Sequence, residues 1–208
     1  MDDNAISITP KYLKALLRVA AVQDIRYYLN GVLFQATAEG GKFYVATDGH
    51  RIAVFHEGWG ADKPRDVDII IPRNVVEQMQ VHKGIPGSLT PAEGRKWTLD
   101  TSSDASLNFT PIDGKYPEWR EVFPATVSGE AGDYNMTYIQ DFVNLAQDAG
   151  MALASIGVLI WHNGSEPAII TTLNKDFVGV LMPVRADHEK RGGLQLPHWA
   201  KKPEAVTA

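Results

Sequence analysis

An internal repeat constrains the fold of this chain more than any other feature of its sequence. Three segments share one pattern, in which a short run of β-forming residues meets a helix-starting residue and then apolar residues at helical spacing. The three runs are Ile6–Pro10, Ile69–Pro72 and Tyr134–Thr137. Their equivalent positions, Pro10, Pro72 and Thr137, are 62 and 65 residues apart (72 minus 10, and 137 minus 72). The sequence therefore predicts three copies of one unit.

Each repeat predicts one amphipathic helix. Thr9 is a good N-cap and Pro10 suits the first helical position, so the first helix should run from Pro10 to Val22. The other two predicted helices run from Pro72 to Gly84 and from Thr137 to about Gly150.

Extended segments follow each helix, because β-branched and aromatic residues replace the helical period. The predicted strands of the first unit are Tyr28–Phe34, Phe43–Thr47 and Arg51–Phe55. Those of the other two units are Trp97–Leu99, Ser106–Phe109, Val158–Trp161, Ala168–Thr171 and Val178–Met182. We expect an α+β fold of strand-helix-three-strand repeats, with antiparallel sheets and helices on one face.

Composition excludes several classes of protein. The 208 residues carry a net charge of −5 and no cysteine, so disulfide scaffolds, cysteine-zinc sites and thiol nucleophiles are excluded. The longest apolar run, from Met151 to Trp161, is shorter than the roughly 20 residues of a bilayer span. The amino terminus is acidic, unlike a secretory signal. These features predict a cytoplasmic protein.

Motifs for catalysis and for cofactors are missing from the sequence. The six histidines show no metal-ligand spacing, and Gly41-Lys42 lacks the remainder of a phosphate-binding loop. Asp48 beside His50 could form an acid/base pair, but an aspartate that hydrogen-bonds its own turn is the preferred interpretation. We expect neither an enzyme nor a bound metal or cofactor.

Five strings of residues resemble one family. They are Gln23–Gly31, Ala46–Val54, Ile71–Arg73, Asp113–Pro117 and Leu181–Arg185. Together, and in this order, they resemble the bacterial DNA polymerase III beta subunit, the replicative sliding clamp. Residues 1–125 resemble the middle domain of that family and residues 126–186 resemble half of its carboxy-terminal domain, whereas its amino-terminal domain has no counterpart here. Residues 187–208 are polar and are predicted to form a flexible tail.

The resemblance implies a DNA-clamp fold and a ring that encircles duplex DNA and tethers a polymerase. Its implied partners are duplex DNA, a DNA polymerase and a clamp loader. The family's ring resembles twelve units, so three units per chain would require a homo-oligomer of four chains joined head to tail. Lys11, Lys14 and Arg18 form one stripe on the first predicted helix and Arg73 begins the second, so these cations are predicted to face DNA phosphates. The third helix carries two charges, Asp141 and Asp148.

The resemblance also implies a pocket that holds a short peptide motif of partner proteins. The positions that match it are Leu29, Thr47, Gly49, His50, Arg51, Ile52, Pro124, Asn135, Tyr138, Val180, Met182, Pro183 and Arg185. Apolar walls, an adaptable methionine and a few polar groups suit a ligand that buries a few side chains. Without the resemblance, most of these residues would be interpreted as ordinary core and turn.

The sequence is also compatible with a second function. The chain could be a clamp-like peptide-binding module that does not encircle DNA and acts as a decoy or adaptor for clamp-binding proteins. The acidic third helix and the missing domain favour this alternative, whereas the basic stripe favours the ring. The tail contains Leu194–Trp199, including Gln195, which resembles the peptides that clamps bind. Two alternatives stay open: this segment docks in the pocket of its own chain or of a neighbour, or it belongs to an untethered tail.

Overall fold

Three units build the molecule, each containing a helix followed by three strands. The computed structural model describes residues 4–102, 105–151 and 157–185. The first unit comprises β1 (Ile6–Ile8), α1 (Pro10–Leu16), β2 (Gly31–Thr37), β3 (Gly41–Thr47) and β4 (Arg51–Glu57). The second comprises β5 (Val67–Pro72), α2 (Arg73–Gln78), β6 (Gly87–Pro91), β7 (Trp97–Ser102) and β8 (Ala105–Phe109). The third comprises α3 (Met136–Asp148), β9 (Leu159–Trp161), β10 (Ala168–Thr171) and β11 (Phe177–Leu181).

The strands form two antiparallel sheets, which confirms the predicted α+β class. One sheet has the order β1-β6-β7-β8 and the other has the order β5-β2-β3-β4-β11-β10-β9. The first two units exchange the strand that precedes their helix, here called the opening strand: β1 lies beside β6, and β5 lies beside β2. Pairing of β4 with β11 joins the third unit to the first in one continuous sheet.

Two apolar clusters bury both faces of the central strands. On β2, Val32 and Phe34 belong to the large cluster that includes the helices, whereas Leu33 between them belongs to a smaller cluster on the opposite face. Side chains alternate across a strand, so a strand buried on both faces has a continuous apolar sequence. The smaller cluster also contains Ile52 of β4 and Val180 of β11, which lie opposite each other in the large sheet.

The first helix is shorter than predicted. It ends at Leu16 rather than Val22, because the backbone tightens to i→i−3 hydrogen bonds from Leu17 N–H to Lys14 O and from Arg18 N–H to Ala15 O. The carbonyl groups released there accept hydrogen bonds from a side chain of another element. Arg73 donates to the carbonyls of Leu17 and Ala20, at 3.0 and 3.1 Å.

Three other boundaries also differ from the prediction. The second helix ends at Gln78 rather than Gly84, and residues 27–29 form a 3₁₀ turn rather than the start of a strand. A second 3₁₀ turn spans Trp119–Val122. The predicted opening strand at Tyr134–Thr137 is not formed, because Asn135 accepts the Thr137 N–H as N-cap and the helix begins at Met136.

Within the described residues, no helix is long and apolar enough to cross a membrane. The predicted tail, residues 187–208, and its Leu194–Trp199 motif lie outside the described part of the chain.

Candidate functional site

The ends of three strands meet on the outer face of the large sheet and form a cleft. Ile52 of β4 lies directly opposite Val180 of β11 in the sheet register. Leu29 ends the first 3₁₀ turn, and its side chain packs in the same apolar cluster. Met182 follows β11 and donates its N–H to the His50 carbonyl at 3.0 Å. Residues about 150 positions apart in the chain therefore line one site.

The cleft has a volume of about 230 Å³. It brings together eight of the thirteen residues predicted for the peptide pocket: Leu29, Thr47, Gly49, His50, Arg51, Ile52, Val180 and Met182. Leu29, Ile52 and Val180 are buried and form apolar walls, whereas Met182 is 43% exposed at the rim. The shape and chemistry suit one or two apolar side chains of a ligand.

A tight turn between β3 and β4 forms one wall of the cleft. Gly49 adopts a φ of 89°, which favours glycine, and its N–H donates to Thr47 Oγ1 at 3.0 Å. The Asp48 carboxylate accepts the N–H groups of His50 and Arg51 at 2.9 and 3.2 Å. The structure therefore confirms the interpretation of Asp48 as a turn residue that bonds its own backbone.

Arg51 connects this turn to the third unit. Its side chain is 8% exposed, and its guanidinium donates to Asp48 at 3.0 Å and to Asp141 of α3 at 2.7 Å. It also donates to the Arg18 carbonyl and lies 4.2 Å from the centre of the Tyr138 ring. Because the single guanidinium group of Arg51 binds both the turn and α3, Arg51 fixes the position of α3 relative to the cleft.

Five predicted pocket residues do not line the cleft: Pro124, Asn135, Tyr138, Pro183 and Arg185. Tyr138 lies behind it, with its ring 6.3 Å from that of His50, and Asn135 caps α3. Pro183 and Arg185 line a neighbouring cavity of about 550 Å³ with residues 130–133.

Four further residues line the cleft although the sequence did not assign them: Arg26, Pro117, Trp119 and Val122. Trp119 is buried and donates its indole N–H to Gln35 at 3.2 Å. Pro117 belongs to one of the five strings that carry the resemblance. A proline followed by Trp119 and Val122 at a spacing of three is a signal for an apolar 3₁₀ or helical turn, and this spacing could have identified the wall.

An exposed ion pair lies at the rim of the cleft. Arg26 donates to both carboxylate oxygens of Asp24, at 3.0 and 2.8 Å, and to the Asp48 carbonyl at 3.2 Å. These hydrogen bonds from Arg26 lower the pKa of Asp24 to about 2. Asp24 therefore stays ionised, and Arg26 stays paired, throughout the physiological pH range.

Most of the predicted DNA-facing cations form contacts within the chain. Lys14 donates to three carbonyls at the end of α2, those of Val76, Glu77 and Met79, at 3.1, 2.7 and 3.2 Å. Arg18 pairs with Asp148 of α3 at 2.6 Å, and Arg73 pairs with Glu77 at 2.8 Å. Within the described residues Lys11, the fourth cation, has no carboxylate within 4 Å. The same part of the chain contains no group of three metal-ligating side chains.

Comparison with known proteins identifies relatives for the first two units. The sequence model of the central domain of the DNA polymerase III beta subunit matches residues 10–118. The beta sliding clamp of Escherichia coli K12 is 36% identical over 104 residues, which cover 50% of this chain and 28% of the relative. That of Vibrio cholerae is 32% identical over 128 residues, or 59% of this chain and 34% of the relative. The chain thus spans about a third or less of these relatives.

Solved structures show the same fold over a longer stretch. The DNA polymerase III subunit beta of Pseudomonas aeruginosa superposes with a TM-score of 0.68 at 19% identity, covering 88% of this chain and 66% of that one. The beta chain from Streptococcus pneumoniae superposes with a TM-score of 0.69 at 18% identity, covering 88% and 65%. The similarity of fold therefore extends beyond the region of clear sequence similarity.

Proposed function

Because the chain belongs to the DNA polymerase III beta subunit family, with more than half its length matching the central domain, we propose that it is a sliding clamp-like processivity factor. In this role it recruits a DNA polymerase through the cleft and encircles duplex DNA as a homo-oligomeric ring. The role is one of binding, not of catalysis.

The observation that carries this proposal is the cleft at the β4–β11 junction. Its apolar walls come from Leu29, Ile52 and Val180, and the polar groups beside them already have partners within the chain. At about 230 Å³ it is smaller than the roughly 300–1,000 Å³ of typical small-molecule sites. A peptide that inserts a leucine or an aromatic side chain fits this volume better than a metabolite does. Pro183 and Arg185, next to Met182, extend the surface available to such a peptide.

A direct binding measurement tests the peptide site. A fluorescent peptide of about eight residues, with leucine and phenylalanine near its carboxyl end, should bind with micromolar affinity and should protect Met182 from oxidation. A peptide with both anchors replaced by alanine serves as the control. Equal affinity for the two peptides would overturn the proposal, because it would show that the apolar walls contribute nothing.

The arrangement of the helices supports the ring. α1 contacts both α2 and α3, so the three helices lie in a row behind the sheets. Lys14, Arg18 and Arg73 are held by carbonyls or carboxylates of the chain, so Lys11 is the predicted cation best able to contact a phosphate. A closed ring should be retained on circular duplex DNA and should slide off after the DNA is linearised. Equal retention on both forms would indicate ordinary DNA binding.

Specific contacts also favour the alternative, a peptide-binding decoy or adaptor that does not encircle DNA. Lys14, Arg18 and Arg73 are held by carbonyls or carboxylates of the same chain, which reduces the charge offered to phosphates. The decoy predicts peptide binding together with no retention on circular DNA at any protein concentration. The two measurements together separate the two functions.

A further inference from the structure

The three units differ in how their sheets are completed. In each of the first two units, the strand after the helix is covered by the opening strand of the other unit. Thus Ile71 of β5 lies opposite Val32 of β2. The corresponding strand of the third unit is β9, which pairs with β10 on one side. On its other side, no strand in the described part of the chain pairs with β9, so its edge is open over Leu159–Trp161. The residues just beyond β9 are covered by the same chain, because the Gly129 N–H donates to the His162 carbonyl at 3.0 Å and the Gly164 N–H donates to the Glu130 carbonyl at 2.8 Å.

The sheet register identifies the position on β9 that corresponds to Val32. The strand pairings place one row of residues across the junction: Ala46, Ala53, Gly179, Ile170 and Ile160. Continuing the antiparallel register from the Leu33–Val45 pair, the next member of this row on β2 is Val32. Val32 and Ile160 therefore occupy equivalent positions on either side of the β4–β11 pair.

The third unit also has a segment in the position of an opening strand, residues 132–135. The helices begin at Pro10, Arg73 and Met136, so the two spacings (73 minus 10, and 136 minus 73) are both 63. By this spacing Tyr134 corresponds to Ile71. Tyr134 and Asn135 belong to no strand of either sheet.

A backbone hydrogen bond that is repeated in the second and third units holds that segment in place within the molecule. The Ile70 carbonyl of β5 accepts the N–H of Ile112, three residues after β8, at 2.9 Å. The Asp133 carbonyl accepts the N–H of Val184, three residues after β11, at 2.7 Å. Residues 132–135 are therefore anchored by the same kind of bond as β5, and the Tyr134 ring lies 5.6 Å from the His162 ring, just beyond β9.

We propose that a second copy of this chain completes the third unit by reciprocal exchange of these segments. Residues 133–135 of each copy pair antiparallel with β9 of the other, as β5 pairs with β2 and β1 with β6. The register places Tyr134 of one copy opposite Ile160 of the other, and Asp133 opposite Trp161. The two third units then form a domain like that of the first two units.

Symmetry and exposure both point to a second copy as the occupant. In the two completed units, an opening strand pairs with the sheet of the other unit and not with its own. A second copy supplies both of the elements required, an opening segment and an open edge, through one twofold axis. The edge also carries exposed apolar side chains: Leu159 is 37% exposed and Trp161 is 51% exposed. Uncovered edges of this kind are sites of strand pairing.

The first test is the mass in solution. Light scattering from micromolar to several hundred micromolar protein should show twice the chain mass of 22.9 kDa. Trp161→Asp places a second carboxylate opposite Asp133, whereas Trp161→Lys places an ammonium there. Because the twofold axis repeats the contact, Trp161→Asp should weaken the dimer at least tenfold more than Trp161→Lys. A monomer at every concentration, or equal effects of the two variants, would overturn the proposal.

Disulfide crosslinking provides a second test, since the chain contains no cysteine. Asp133→Cys combined with Trp161→Cys should oxidise to a covalent dimer much faster than a control that combines Trp161→Cys with Leu173→Cys. Leu173 is exposed and lies in the turn between β10 and β11, away from the proposed interface. Equal rates for the two pairs would contradict the exchange.

The inference deepens the ring part of the proposed function but is independent of the peptide cleft. Peptide affinity measured on the same variants separates the two. A wild-type protein that stays monomeric but binds the peptide counts against the exchange alone, whereas a dimer that binds no peptide counts against the recruiting role.

Discussion

At the scale of single residues, the polar side chains of Thr47 and Arg51 at the cleft already have hydrogen-bond partners within the chain. Thr47 Oγ1 donates to the Arg51 carbonyl at 2.7 Å, and the Arg51 guanidinium is shared between Asp48 and Asp141. Such groups offer few hydrogen bonds to a ligand without losing others. Affinity for a peptide must therefore come mainly from apolar side chains that enter the cleft.

Met182 gives the most direct residue-scale prediction. Met182→Ala removes a flexible apolar contact at the rim, and its 43% exposure means that folding is little affected. We expect peptide affinity to fall about tenfold, or ~1.4 kcal/mol, in a fluorescence polarisation titration. Leu173→Ala, at an exposed position outside the cleft, should leave affinity unchanged. A Met182 variant that binds like the wild type would show that the peptide docks elsewhere.

Tyr44 gives a prediction about pH. It is fully buried, accepts the Thr9 N–H at 3.1 Å and donates to Glu57 at 2.6 Å. Burial, with the Glu57 charge next in effect, raises its pKa well above 10.0. The unfolded chain releases this proton near pH 10, whereas the folded chain retains it. The stability that the folded state gains from protonated Tyr44 is therefore fully present below pH 10 and decreases as the pH rises above 10.

Tyr44→Phe removes both the hydrogen bonds and this titration. At pH 7 the variant should lose about 1–3 kcal/mol of unfolding free energy, because the Thr9 N–H and Glu57 lose a partner. Above pH 10 the difference from the wild type should narrow by about 1.4 kcal/mol per pH unit. Urea denaturation at pH 7 and at pH 10.5 measures both effects. A constant difference would show that Tyr44 does not hold its proton in the folded state.

At the scale of secondary-structure elements, each of the first two helices receives cations from elsewhere at its carboxyl end. Lys14 of α1 donates to carbonyls at the end of α2, and Arg73 of α2 donates to carbonyls after α1. Carbonyls at the end of a helix lack partners and carry partial negative charge, so these contacts both cap and orient the helices. The reciprocal arrangement follows from the exchange of β1 and β5, which places the two helices side by side.

A basic residue of these helices could stabilise the fold or contact DNA, and Lys14 and Lys11 are expected to differ in this respect. Lys14→Met should lower the free energy of unfolding by about 2 kcal/mol, since three carbonyls lose a charged donor. Lys11→Met should leave stability within about 0.5 kcal/mol of the wild type but should weaken retention on DNA and its dependence on salt. Denaturant unfolding and salt-dependent retention on circular DNA measure the two effects. If Lys11→Met leaves DNA retention unchanged, the helix row does not face the duplex.

The sequence predicted the kind and order of these elements better than their ends or their contacts. The repeat, the α+β class and eight residues of the cleft follow from periodicity and from the family resemblance. The end of α1 at Leu16 depends on Arg73, which is 57 positions later in the chain (73 minus 16), and no local pattern contains that information. The partner of Lys14 in the cationic stripe could not be predicted either, because it is the backbone of another helix. Trp119 was missed because the spacing of three from Trp119 to Val122 is a weak signal in a 3₁₀ turn of four residues.

At the scale of the whole molecule, one strand pair decides whether the cleft exists. The β4–β11 register is nearly symmetric about the Ala53–Gly179 pair, with Phe55 opposite Phe177 at one end and Arg51 opposite Leu181 at the other. β8 is the counterpart of β4 and β11 in the second unit, and it forms the outer edge of its own sheet. A ring built from the exchange dimer would therefore close by pairing β8 with another β8. That contact repeats the β4–β11 junction, whereas a head-to-tail contact would join two unlike edges.

Gly179 tests how strongly the cleft depends on that junction. A Cβ atom at this position would lie 2.7 Å from Phe142 Cε1 and 2.9 Å from the Ile52 carbonyl oxygen, so Gly179→Ala must push β11 and α3 away from β4. We expect a loss of about 1–3 kcal/mol in unfolding free energy and a weaker affinity for the peptide, since Val180 and Met182 move with the strand. Gly58→Ala, whose Cβ would have no atom within 4 Å, is the matched control for the substitution itself. Urea denaturation followed by circular dichroism measures the unfolding free energy. Peptide titration under native conditions measures the affinity of the same samples. A folded Gly179→Ala protein with undiminished peptide affinity would show that the first unit alone forms the binding surface.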